Sequence, residues 1–128
     1  MRSEPISVVP SETVDIDTSR ILILRQSVGD QRCREILEEV IYHLSDKLTQ
    51  IEFALESADF AKVITVCSRL ANLSEPVGLE DFARVARDLR SCVEAEDATA
   101  RAAVAARLMR LGDNAICSMM NYADQTAL

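Results

Sequence analysis

Four cysteines, one histidine and a scatter of carboxylates are the side chains here that could ligate, attack or transfer a group. Cys33, Cys67, Cys92 and Cys117 lie far apart, and no two form a C-x-x-C pair. Structural zinc sites draw their ligands from close pairs, so this spacing predicts free thiols filling core space. A disulfide framework is not expected in a reducing compartment. His43 is the only histidine. It falls roughly 120° off the apolar stripe of its segment, at about 100° per residue, which predicts a solvated position. No acidic residue directly follows it to tune it as a phosphoacceptor or acid/base group. One imidazole also cannot build a histidine-rich metal site. Glu38-Glu39, Glu80-Asp81 and Glu94, Glu96 and Asp97 read as helix-start and turn charges, where the macrodipole favours them. The three glycines are isolated, so no phosphate-cradling loop is present. No serine or cysteine has a base beside it in sequence. These residues predict no catalytic centre, no metal site and no cofactor.

Composition narrows the partners. The formal net charge is −7 over 128 residues. Phosphate backbones and anionic headgroups both need clustered Lys and Arg, so nucleic acid and membrane surfaces are not expected partners. No apolar run approaches the roughly 20 residues that cross a bilayer. No apolar stretch with basic flanks and a small-residue cleavage site stands at the N-terminus, so the expected location is cytoplasmic. Apolar residues are 48% of the chain, enough to fold one domain.

The elements that must position these side chains follow from periodicity. Residues 1–17 carry Pro5, Pro10 and no period, and read as a flexible N-terminal tail; residues 18–124 read as one helical domain. Asp17, Thr18 and Ser19 are good N-cap types before the apolar run Ile21–Leu24, taken as a short extra helix ending near Gly29. From about Asp30 to Ser57, Cys33, Leu37, Ile41, Leu44, Leu48, Ile51 and Leu55 fall on one stripe. A third segment, about Asp59 to Ser74, carries Phe60, Val63, Cys67 and Leu70 and ends at Glu75-Pro76-Val77-Gly78. A fourth, about Leu79 to Glu94, presents Leu79, Phe82, Val85, Ala86, Leu89 and Val93. The last, about Ala98 to Tyr122, uses Val104, Leu108, Leu111, Ala115 and Met119, with a bend expected at Gly112-Asp113. Four long amphipathic helices with short loops predict an all-α, antiparallel, up-down-up-down four-helix bundle.

One stretch is more specific. Val66-Cys67-Ser68-Arg69-Leu70-Ala71-Asn72, followed by Gly78, resembles the core of histidine-containing phosphotransfer (HPt) domains. These are four-helix bundles that pass phosphoryl groups between response-regulator receivers. The family's helix reads A-H-x-L-K-G, with a Gly ten residues after the histidine. Leu70 and Gly78 match it, and the likeness extends over about Ser19 to Met120. The departures fall on the chemistry: Ser68 stands at the histidine position, Ala71 at the Lys and Asn72 at the Gly. A serine ester does not replace a phosphoramidate, so the resemblance implies a degenerate, non-enzymatic member. With Val63, Cys67 and Leu70 inward, Ser68 is expected to face outward, sharing a ridge with Thr65, Asn72 and Glu75 and flanked by Arg69.

The resemblance implies a cytoplasmic signalling protein of a two-component phosphorelay. It would bind a receiver domain or histidine kinase through Thr65, Ser68, Arg69, Asn72 and Glu75 as an adaptor or inhibitor. Two alternatives stand beside it. One is active phosphotransfer through His43. The other is a structural helical module that self-associates through a patch of Leu73, Val77, Met119 and Met120.

Overall fold

A computed structural model describes residues 16–126, and all of its regular elements are helical. The chain forms α1 (Thr18–Val28), α2 (Asp30–Glu56), α3 (Phe60–Ser74), a 3-10 turn (Glu75–Val77), α4 (Glu80–Glu94) and α5 (Ala98–Thr126). The expected tail, residues 1–17, lies outside the described residues except for Ile16 and Asp17.

Caps set the boundaries. The Asp17 carboxylate accepts from the Ser19 backbone N–H at 3.1 Å and from the Ser19 hydroxyl at 2.5 Å. These bonds hold the Asp17 carboxyl below its usual pKa, the hydroxyl bond acting most strongly. Asp59 caps α3 through the Lys62 N–H, and Asp97 accepts from the Ala100 N–H at the start of α5. Helices α2 and α4 end alike. In each, the second residue of a three-residue turn is left-handed without being glycine, Ala58 at φ 56° and Glu96 at φ 57°. The following aspartate N–H reaches back to Ala54 O in one turn and to Cys92 O in the other. These are Schellman-type ends, which satisfy carbonyls that α-helices leave open.

Four helices close into a ring: α2 packs on α3 and α5, and α4 packs on the same two. Leu37, Leu44 and Ile51 of α2, Val63 and Leu70 of α3, Phe82 and Leu89 of α4, and Leu108 and Met119 of α5 are all buried at its centre. Each such side chain contributes about 1.5–3 kcal/mol by leaving water. The fourth segment buries its whole expected stripe, Leu79 to Val93. In α2 the stripe is turned slightly: Val40 and Ala54 are buried, while Ile41 and Leu55 are only half-buried. Phe60 and Val104 are likewise only half-buried. Helix α5 continues without interruption through Gly112, where a Cβ would run into the methyls of Leu48. Glycine here lets α5 approach α2 closely.

Helix α1 is the short extra helix. Ile21 is fully buried against the ring, and α1 packs mainly on α2. Its Arg25 guanidinium lies over the Tyr122 ring of α5, 5.8 Å from the centroid. The patch expected from Leu73, Val77, Met119 and Met120 does not assemble. Val77 and Met119 belong to the core, Leu73 is half-buried, and only Met120 is exposed. Val77 sits on the 3-10 turn, which tucks it inward, and Met120, about 100° round α5 from the buried Met119, faces out.

Candidate functional site: the seam between α3 and α4

The expected ridge lies on α3 and the turn after it. Thr65, Arg69 and Asn72 are exposed, while Ser68 and Glu75 are half-buried. The cause is α4, which supplies a row of arginines at three-residue spacing: Arg84, Arg87 and Arg90. Arg90 donates through Nη1 to the Ser68 hydroxyl oxygen at 2.6 Å. Its Nε and Nη2 also donate to Glu94 at 3.3 and 3.4 Å. The Ser68 hydroxyl donates in turn to Ile64 O, one turn back, at 3.1 Å. The residue expected to face outward therefore lies beneath a guanidinium.

Seven residues after Ser68, Glu75 is gripped by Arg87, twelve residues further along the chain, through two N–H bonds of 3.0 and 3.1 Å. This fork-to-fork geometry is the strongest that Arg and a carboxylate make. It holds the Glu75 carboxyl below its usual value, the Arg87 hydrogen bonds acting most strongly. The Glu75 carbonyl also accepts from Arg20 of α1 at 3.2 Å, and Arg20 pairs with Glu80 at 2.7 Å. The 3-10 turn thus connects three helices. Gly78 follows it at φ 88° and ψ 10°, left-handed backbone that disfavours a side chain. Its carbonyl accepts from the Asp17 N–H at 2.9 Å, and a Cβ on Gly78 would meet Asp17 backbone at 2.5 Å.

The chemistry open to this seam is limited. The Ser68 proton is directed at a backbone carbonyl, and Arg90 only donates. Glu94, the nearest carboxylate in the network, contacts Arg90 rather than the hydroxyl. Among the described residues no carboxylate or imidazole is hydrogen-bonded to the Ser68 hydroxyl, so none of them is placed to activate it as a nucleophile. Cys67, beside Ser68 in sequence, is fully buried. Burial pushes its thiol up to about 12, and the nearby Arg90 charge offsets this only partly. A thiol with that pKa stays protonated near neutrality and is not a nucleophile.

The chain matches no family model, no curated protein and no solved structure.

The other expected residues fall elsewhere. His43 is exposed on α2, its ring edge-on to Tyr42 at 5.3 Å between centroids. It shares a shallow hollow with Arg32, Glu35, Glu38 and Glu39, all from α2. The four thiols are free and lie one each on α2, α3, α4 and α5. No three His, Cys, Asp or Glu gather into a metal-binding group among the described residues. No helix among those residues is long and apolar enough to cross a membrane.

Arg87, Arg90 and Arg20 were not singled out as site residues from the sequence. The spacing Arg84, Arg87, Arg90 was a readable signal, since residues three apart share a helix face. Their partners were not readable, because Ser68 and Glu75 lie on another helix.

Proposed function

We propose that this protein is an HPt-like adaptor: an antiparallel, up-down-up-down four-helix bundle that binds a response-regulator receiver domain or a histidine kinase without carrying phosphohistidine. Short connections between neighbouring helices support the bundle topology, since three-residue turns join α2 to α3 and α4 to α5. One observation carries the functional reading. Ser68, at the position the family gives its histidine, is held in the α3–α4 seam by Arg90 and Ile64 O, with no base at its oxygen. The partner reads a preformed surface of Thr65, Arg69 and Asn72, edged by the Arg87–Glu75 pair. Such a surface competes with a true phosphotransfer protein or holds a regulator in one state.

The direct test is titration of receiver domains from the same genome, with and without beryllofluoride as a phosphoryl mimic. A receiver is expected to bind, and Arg69→Glu with Asn72→Arg is expected to weaken it by about tenfold or more, roughly 1.4 kcal/mol. Absence of binding to every receiver and kinase tried would remove the reading. The same preparations mixed with phosphorylated receiver should yield no acid-labile label. Label that disappears in His43→Gln would replace the adaptor with active transfer through His43.

A further inference from the structure

The seam between α2 and α5 shares no helix with the α3–α4 seam, and one stretch of it is open. A groove of about 440 Å³ lies there, lined by Thr49, Glu52, Phe53 and Glu56 of α2 and by Ala106 and Met109 of α5, among others. Phe53 is 67% exposed on its wall. Glu52 and Glu56 stand one helical turn apart on the rim, and among the described residues no basic side chain lines the groove. No ion pair or side-chain hydrogen bond engages either glutamate among the described residues.

We propose that this groove docks an amphipathic, basic helical segment of another protein, making the chain a two-sided adaptor. Charge selects that occupant over the two nearer ones. A second copy meeting the groove about a two-fold axis would bring the two acidic rims onto one interface, which like-charge repulsion opposes. Residues 1–15 bring Glu4, Glu12 and Asp15 against a single Arg2, so their charge has the wrong sign. A foreign segment with Lys or Arg spaced i, i+4 matches the i, i+4 spacing of the two glutamates. Its apolar face covers Phe53 and Met109, with the small Ala106 allowing close approach, in the helix-in-groove mode. Exposed aromatic side chains at the centre of a docking surface commonly dominate its affinity. This inference stands whether or not the Ser68 face binds a receiver.

The test uses the full chain and a fluorescein-labelled 14-residue peptide of Leu and Lys, with Leu at i, i+3 and i+4. A matching Leu and Glu peptide is the control. Anisotropy should report binding of the Lys peptide only, weakening as salt rises. Phe53→Ala should weaken it by about tenfold. Glu52→Lys with Glu56→Lys should abolish it and admit the Glu peptide instead. Failure of the Lys peptide to bind, or binding that neither variant changes, would overturn the proposal. So would a dimer in sedimentation that Phe53→Ala dissolves, or a Val8→Asp, Val9→Asp variant that binds the peptide better. Those two outcomes would assign the groove to a second copy or to the chain's own N-terminal segment.

Discussion

The two seams that share no helix are finished in opposite ways. Between α3 and α4, charge crosses the junction: Arg90 closes over Ser68 and Arg87 clasps Glu75. Between α2 and α5, contact is steric where Gly112 lets the helices approach around Leu48, and a groove rimmed by Glu52 and Glu56 opens beside Phe53. Both rest on the same apolar centre. They differ in how they meet: side-chain ion pairs and hydrogen bonds bridge the first, and close apolar contact joins the second. The first seam presents an ordered polar face, and the second presents an apolar face with charge at its margin.

That contrast can be broken at several depths. Removing the shared centre should hurt both seams alike: Leu70→Ala on α3 and Leu108→Ala on α5 should each cost about 2–5 kcal/mol in denaturant unfolding. A large inequality between them would show that the helices do not share one core. Gly78→Ala comes next, at about 1–3 kcal/mol by thermal melting, because the left-handed backbone and the Asp17 backbone both resist a Cβ. Arg90→Ala should cost only about 1 kcal/mol or less, since the side chain is half in water. It should nevertheless speed chemical modification of the Ser68 side of α3, which mass spectrometry can follow.

The acid side of stability sharpens the comparison further. The folded Glu75 carboxyl titrates below its ordinary value of 4.5, so folding favours the ionised form. Its contribution is intact above that value and fades as pH falls through the lower folded pKa. Glu75→Gln should therefore flatten part of the acid limb of a stability-against-pH curve. The smallest effects concern thiols. Cys117, exposed, should react with a thiol reagent first and the half-buried Cys92 next. Cys67 should wait for unfolding, being buried and protonated up to about pH 12.

Much of this was legible in the sequence because helices write their buried face at a fixed angular step. The α4 stripe was complete, and Asp17 marked the start of α1 by side-chain chemistry alone. In α2, Val40 replaced Ile41 and Ala54 replaced Leu55 at the centre. Adjacent positions differ by only about 100°, and packing against α5 and α3 decides which of the two turns inward. The ridge on α3 was readable as a set of positions, but not its covering. Arg90 lies 22 residues from Ser68, and Arg20 lies 55 from the Glu75 carbonyl it binds. Periodicity says which way a side chain points along its own helix and nothing about which helix it meets. The supposed patch failed at Val77 because the 3-10 turn sent it inward, and at Met119 because that residue lies on the stripe α5 was expected to bury.

Helix lengths carry a final consequence. At 1.5 Å per residue, the 27 residues of α2 run about 40 Å, while the 15 of α3 and of α4 reach only about 22 Å. The two long rods overhang the two short ones, and Cys33 and Leu37, near the start of α2, would be wet without a splint. Helix α1 is that splint, with Ile21 sunk against the ring and Arg25 across Tyr122. Trimming the chain back to Asp30 should therefore lower its stability and bare an apolar ledge on α2 that promotes clumping.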